Sequence, residues 1–229
     1  MFGQPTPTVL ALGALGAASG IHLWAQWTDV DAVSDPTQPL LMVLLALALW
    51  TATSAPRSRL VRLTLLALAF SWLGDSAPRF VDGDAAFLLM VGFFALAQVA
   101  YAVAFRPYAD QSVLAINRIA LAPYAVAVVL LVAICAPGAG GMLVPVLVYG
   151  ALLGTMAVLA TGLGRLIWVG GALFLVSDGL IAIDAFAENV TIGHSSFWVM
   201  LTYIVAQVLI VLGVLERDTC TRSAPLRSP

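Results

Sequence analysis

The chain has 229 residues, of which 62% are hydrophobic and 10% are charged, and its mean hydropathy is +1.02. This composition excludes an ordinary soluble domain and indicates an integral membrane protein. The net charge is −2 and the arginines are scattered, so there is no basic stripe for a phosphate backbone and we expect no nucleic-acid partner.

Apolar segments follow one another along the whole chain, each long enough to cross a hydrocarbon core of about 30 Å as a helix. Eight are predicted, at about 7–27, 37–55, 59–77, 85–105, 113–135, 140–162, 165–186 and 196–215. Their apolar residues are continuous rather than alternating, which favours helices over strands. The prediction is an all-α bundle of eight transmembrane helices in a single domain over 1–229, with 216–229 as a short cytoplasmic tail.

Some features recur four predicted crossings apart. Asp75 and Asp178 are separated in this way, as are Pro39 and Pro145, and the tripeptide Ala-Gln-Val occurs in both the fourth and the eighth segment. A parallel four-plus-four repeat would produce this spacing. Chance is the alternative, because the identity between the halves is slight.

Arginine supplies all ten basic residues and indicates the orientation of the bundle. Alternating crossings place nine on or near one side: Arg57, Arg59, Arg62, Arg106, Arg118, Arg165, Arg217, Arg222 and Arg227. The positive-inside rule makes that side cytoplasmic, with both termini. The other side carries Arg79 and the acidic residues Asp29, Asp31, Asp35, Asp82, Asp84 and Glu188. The all-Arg, Ala-rich composition is typical of a GC-rich genome, and we expect a bacterial cell membrane.

Two aspartates interrupt apolar helices, Asp75 in FSWLGDSAPRF and Asp178 in GGALFLVSDGL. A charged side chain at the centre of a membrane helix costs about 2.5–3.5 kcal/mol on insertion scales, so such residues usually face a bundle interior or a wet cavity. Tyr149, Tyr203 and Gln207 come to similar depths from the outer side, which favours one shared polar site. The alternative is that both aspartates are protonated and only join neighbouring helices.

Other chemistry has weaker signals. His22 and His194 are the only histidines and show no metal-ligand spacing, so we predict no metal and no cofactor. No nucleophile elbow, phosphate-binding glycine loop or catalytic Cys/His pair is present.

Several segments together resemble the YhhN/TMEM86 family, whose characterised members are lysoplasmalogenases. The resemblance extends from about 38 to 212 and includes QPLLM, FSWLGD, FFALAQVAY, VLVYGALLGTM, GGALFLVSD and TYIVAQVLI. It implies eight helices and hydrolysis of the vinyl-ether bond of a lysoplasmalogen, giving a fatty aldehyde and a glycerophospho-alcohol. The expected partners are thus a lysophospholipid or ether-lipid substrate and the bilayer.

The resemblance also assigns site residues. Asp75 and Asp178 match the family's two membrane aspartates and are the candidate catalytic pair. The candidate substrate-binding residues are Gln38, Gln98, Tyr101, Tyr149, Ser177, Tyr203 and Gln207. Gln38 stands where the resemblance leads us to expect Lys, and Gln98 where it leads us to expect His, so the headgroup contacts of this chain differ from the family pattern.

Vinyl-ether hydrolysis needs an acid that protonates carbon and an anion that stabilises the resulting cation and positions water. Arg79 follows Asp75 by four residues, whereas no cation neighbours Asp178. We therefore expect Asp178 to be the general acid and Asp75 the water-orienting base, and the reverse assignment is the alternative. Intramembrane aspartates also serve as proton relays, so a proton-coupled transporter of lipids or small molecules is the alternative, and a lipid-binding protein without turnover is a third possibility.

Overall fold

The computed structural model describes residues 6–187 and 189–223, which contain helices and no strand. This confirms the all-α class. The helices are α1 Thr6–Trp27, α2 Asp31–Ala52, α3 Arg59–Ser76, α4 Gly83–Phe105, α5 Val113–Ile116, α6 Ala122–Ala139, α7 Leu143–Ala160, α8 Arg165–Phe186 and α9 Ser195–Ser223. Short 3-10 turns lie between several of them.

The described residues contain seven helical segments that are long and apolar enough to cross a membrane. The protein is therefore an integral membrane protein. One of these segments, Arg118–Leu163, is 46 residues long and contains both α6 and α7. A turn at Gly140, whose φ is 47°, separates these two helices, and they pack against each other. Eight crossings and a four-plus-four repeat remain predictions.

The predicted boundaries need three corrections. Helix α2 begins at Asp31 rather than Thr37, and an acidic residue in a first turn suits the positive end of the helix dipole. Pro39, predicted in a first turn, consequently lies inside α2. Helix α9 continues to Ser223, so most of the predicted tail after Leu215 is helical.

The third correction concerns the fifth apolar segment, where a single helix over 113–135 was wrong. The short α5 ends at Ile116, and the Asn117 side chain accepts a hydrogen bond from the Ile119 backbone N–H at 3.2 Å. Pro123 lies in the first turn of α6, where a backbone N–H would have no acceptor within the helix, so the missing N–H of proline costs no hydrogen bond. A polar capping residue and a proline together restart the helix.

Three hairpins, α1–α2, α3–α4 and α8–α9, form most of the bundle, and α4 packs on α7. Helices α8 and α9 approach closely because glycines face the contact: a Cβ on Gly170 would lie 2.8 Å from the Ala206 carbonyl oxygen, and one on Gly213 2.5 Å from Ile167 Cγ1. Small residues allow such close contacts in lipid, where van der Waals packing rather than the hydrophobic effect stabilises helix association. The result brings α3, α4, α8 and α9 around one interior space.

Glu188, Arg227 and the side chain of Arg222, all used in the orientation argument, lie outside the described residues.

The orientation is tested by the position of the two termini. If α6 and α7 each cross the bilayer, the total is eight and both termini lie in the cytoplasm, as the arginine distribution predicts. Epitope tags at each end of the chain should then be protected from external protease in intact cells and cleaved after permeabilisation. A tag accessible from outside at either end would contradict this topology.

Candidate active site

A cavity of about 310 Å³ opens between α3, α4, α8 and α9, and both Asp75 and Asp178 line it. The rest of its wall comes from Gln26, Gln38, Gly74, Phe87, Met90, Phe94, Ser177, Ile181, Asp184, Ala185, Ser195, Ser196, Val199, Met200 and Tyr203. Both aspartates are otherwise buried. The structure thus brings together two residues that are 103 positions apart in the sequence (178 − 75).

Asp75 is held by two donors from other helices. The Tyr203 hydroxyl of α9 donates to Oδ2 at 2.9 Å, and the Gln38 side-chain amide of α2 donates to Oδ1 at 3.2 Å. Both groups are placed as donors to the Asp75 carboxyl oxygens. The site therefore suits an ionised Asp75 that offers its remaining lone pairs to the cavity.

Arg79 reaches Asp75 indirectly, because α3 ends at Ser76 and a 3-10 turn over Ala77–Phe80 follows. Its Nε donates to the Asp75 backbone carbonyl at 3.3 Å, and its Nη2 donates to Gln38 Oε1 at 2.9 Å. It also forms an ion pair with the exposed Asp35 at 2.7 Å. Gln38 thus links the guanidinium to the Asp75 carboxylate, and a cation lies beside the position where Lys was expected.

Asp178 has a different environment. Its Oδ2 accepts a short hydrogen bond from the Tyr149 hydroxyl of α7, and Oδ1 has no hydrogen-bond partner among the described residues. Beyond it, an apolar crevice opens between α4, α6, α7 and α8. Asp178 therefore stands at the boundary between a polar cavity and an apolar space.

Gln98 of α4 is fully buried close to the Tyr149 hydroxyl, but neither of its side-chain polar atoms makes a hydrogen bond to the described residues. It does not line the cavity. A buried amide without partners is costly, so this position is suited to a bound water or ligand group.

Tyr101 and Gln207 lie deeper in the bundle than the cavity wall. The Tyr101 hydroxyl donates to Gln207 Oε1 at 2.5 Å, and Gln207 Nε2 donates to Ser71 Oγ at 3.0 Å. Ser71 is one turn before Asp75 on α3 and lies beside Tyr203. These residues form a polar row beneath Asp75 without lining the cavity.

Ser177 lines the cavity and is adjacent in sequence to Asp178, but its hydroxyl donates to the Val199 backbone carbonyl at 3.0 Å. It joins α8 to α9 and so fixes the rotation of α8 that turns Asp178 inward. On the opposite wall, a Cβ on Gly74 would meet the Phe94 ring at 3.0 Å, so the glycine before Asp75 lets α4 approach α3.

Sequence reasoning missed the mouth of the cavity. Gln26, Ser195 and Ser196 are polar residues near helix ends, and Asp184, near the end of α8, lines the same mouth. Their common signal is position near the ends of α1, α8 and α9 that meet at the cavity. Among the described residues, no group of three or more His, Cys, Asp or Glu side chains is placed to hold a metal ion.

The sequence is similar to a known family and to two curated proteins. A family model described as the YhhN family matches residues 34–214. Lysoplasmalogenase TMEM86B of Homo sapiens is 42% identical over 78 residues, which is 33% of this chain and 32% of that protein. Lysoplasmalogenase TMEM86B of Rattus norvegicus is 39% identical over 75 residues, 33% of this chain and 31% of that protein. The chain thus matches about a third of the length of these curated relatives. No solved structure gives a significant match.

Cysteine labelling tests whether the cavity holds water. Met90 lines the cavity and is partly exposed, while Leu88, two residues earlier on the same helix, is 43% exposed and does not line the cavity. In a background without Cys135 and Cys220, Met90→Cys should react with a small, membrane-impermeant thiol reagent, because thiols ionise in water. Leu88→Cys, on the periphery of the bundle, is the matched control and should remain unlabelled. Equal labelling of the two variants would contradict a water-filled cavity.

Proposed function

The chain belongs to the YhhN family, and from this premise we propose that it is a membrane-embedded ether-lipid hydrolase. Its substrate would be a lysoplasmalogen-type lysophospholipid, and its products a fatty aldehyde and a glycerophospho-alcohol. The observation that carries the proposal is the pair of buried carboxyl groups on one cavity, each hydrogen-bonded by a tyrosine from another helix. The names of the two relatives support the substrate class.

The reaction requires acid–base chemistry at carbon. Protonation of the alkene carbon that is not bonded to oxygen gives an oxocarbenium ion, water adds to give a hemiacetal, and the hemiacetal collapses to aldehyde and alcohol. A protonated carboxyl beside an ionised one can supply both the proton and the stabilising negative charge, as in glycosidases.

The hydrogen bonds favour Asp178 as the acid and Asp75 as the base. Asp178 has a single donor, leaving Oδ1 available to carry a proton towards substrate, and it borders the apolar crevice where an alkene would lie. Asp75 has two donors and a guanidinium nearby through Gln38, which suit a carboxylate.

The proton balance then closes over one turnover. Asp178 gives its proton to the alkene carbon, and Asp75 takes a proton from the water that attacks the oxocarbenium carbon. In the collapse, Asp75 returns that proton to the departing ether oxygen while Asp178 accepts the hydroxyl proton of the hemiacetal. Both residues end in their starting forms, and one water is consumed.

Polar groups at the mouth would hold the glycerophosphate end. Arg79 lies against Gln38 and supplies the positive charge that the family resemblance leads us to expect at this position. Asp184, Ser195 and Ser196 line the same opening and offer acceptors and donors to the headgroup. The lipid would therefore enter with its headgroup on the outer side.

A proton-coupled transporter is the second candidate, and one observation favours it. The row Tyr101–Gln207–Ser71 continues the polar contacts of Asp75 into the bundle, as a proton relay would. The two functions differ in what they require: a hydrolase forms product in detergent, whereas a transporter needs a sealed vesicle and a gradient.

The purified protein in detergent should release fatty aldehyde from lysoplasmalogen. Asp75→Asn and Asp178→Asn should each reduce turnover by about 10²–10⁴-fold, because each removes one partner of the acid–base pair, and the double variant should lose little more. Aldehyde is measured by trapping and mass spectrometry, and folding by the thermal unfolding midpoint.

Asp82→Asn is the matched control, since Asp82 lies between α3 and α4 and does not line the cavity. It should keep wild-type turnover. Absence of aldehyde from the wild type with a panel of lysophospholipids, or near-normal activity in either Asp75→Asn or Asp178→Asn, would overturn the proposal.

A further inference from the structure

The polar cavity has an apolar continuation at Asp178. Asp178 lines both the cavity and a narrow crevice of about 40 Å³, and the two spaces also share Phe87, Met90, Phe94 and Ile181. Apart from Asp178 and the Tyr149 that bonds it, every residue lining the crevice is apolar or glycine. A group that left the cavity past Asp178 would therefore enter a hydrocarbon-like environment.

The crevice continues into a third space. Val128 of α6 and Gly150 of α7 line both the crevice and a groove of about 350 Å³ along the α6–α7 seam. This groove is bordered by Leu114, Leu121, Tyr124, Ala125, Ala151, Gly154, Thr155, Val158 and Leu159. The cavity, the crevice and the groove thus form one series with a constriction in the middle.

The direction of the series matches the shape of a lipid. Along α7 it runs from Tyr149 to Val158, about 14 Å at 1.5 Å per residue, away from the helix ends that form the polar mouth. A lipid with its headgroup at that mouth would point its chain along this line.

Val128 occupies the constriction. Gly150 and Gly154 present no side chain to it, and a Cβ on Gly154 would come within 3.2 Å of Val128 Cγ2, whereas one on Gly150 would lie 3.8 Å from Cγ1. At these two glycines the α7 side of the seam is therefore open, and the Val128 methyl groups face it from α6.

We propose that the single hydrocarbon chain of the substrate passes from the catalytic cavity through the crevice into the α6–α7 groove, and that Val128 determines which chains are accepted. This inference rests on the proposed function, since it assigns a path to the chain of that substrate. Both the bilayer and the path are apolar, so selection is by size and shape rather than by hydrophobicity. A chain that is too bulky to pass the constriction, or too long to fit in front of a blocked one, cannot place its alkene at Asp178.

The test compares Val128→Phe with Val129→Phe. The second variant adds the same ring at the neighbouring position, which is 64% exposed on the outside of the bundle and lines none of the three spaces. Turnover is measured with lysoplasmalogens that carry octenyl or octadecenyl chains. Val128→Phe should lower kcat/KM for the octadecenyl substrate by about tenfold or more relative to the octenyl one, the scale of discrimination that apolar pockets achieve. Val129→Phe should keep the wild-type ratio.

Val128→Ala provides a second variant with the opposite effect, and it keeps the test decisive if Val128→Phe does not fold. It should raise the turnover of a methyl-branched octadecenyl chain relative to the straight chain. Equal chain preferences in wild type, Val128→Phe and Val129→Phe, or an unchanged preference in Val128→Ala, would overturn the path.

A binding arm separates this inference from the proposed function. Saturated octyl and octadecyl ether lysophospholipids cannot be hydrolysed by this route, but a bound lipid raises the unfolding midpoint. Val128→Phe should reduce the shift produced by the octadecyl lipid and leave the octyl shift unchanged. If the midpoint shifts differ in this way but no aldehyde forms, the hydrolase proposal is wrong and the chain path is supported. If aldehyde forms but the midpoint shifts are equal in all variants, the hydrolase proposal stands and the chain path is wrong.

Discussion

A carboxyl group inside a membrane must find polar partners within the protein, and this requirement organises the bundle. Asp75 of α3 is hydrogen-bonded by Tyr203 and Gln38, and Asp178 of α8 by Tyr149, so three further helices, α9, α2 and α7, are tied to these two side chains. Leaving either aspartate towards hydrocarbon would cost several kcal/mol. Glycines at the α8–α9 and α3–α4 contacts allow the backbone approach that these hydrogen bonds need.

The two aspartates are similar in sequence context but differ in surroundings. Asp75 faces donors and, through Gln38, a guanidinium, whereas Asp178 has one phenol and borders an apolar crevice. The proposed division into a general acid and a base requires such an asymmetry between two chemically identical groups. Under the proposed function, the reacting bond of the lipid would lie where polar and apolar surroundings meet, with the headgroup on one side and the chain on the other.

Much of this arrangement follows from the sequence, because the cost of burying charge is large and local. This cost indicated that Asp75 and Asp178 face an interior site. Counting the rise of each helix then predicted that Tyr149 and Tyr203 lie at the same depth as the aspartates. Features that depend on packing could not be predicted in this way. The rotation of each helix decides that Ser177 bonds a backbone carbonyl and that Gln98 lies behind Tyr149 rather than in the cavity. The break in the fifth apolar segment depends on the capping residue Asn117 and on Pro123. The high hydropathy of the segment instead predicted one continuous helix.

Isotope incorporation would show directly whether the buried carboxyl pair delivers a solvent-derived proton to carbon. Wild-type protein would hydrolyse lysoplasmalogen in heavy water, with the aldehyde reduced at once to the alcohol to prevent exchange. A single deuterium should appear on the carbon next to the former aldehyde carbon, and Asp178→Asn should form this product about 10²–10⁴-fold more slowly. Product without that deuterium, or deuterated product formed equally fast by Asp178→Asn, would contradict proton delivery by the pair.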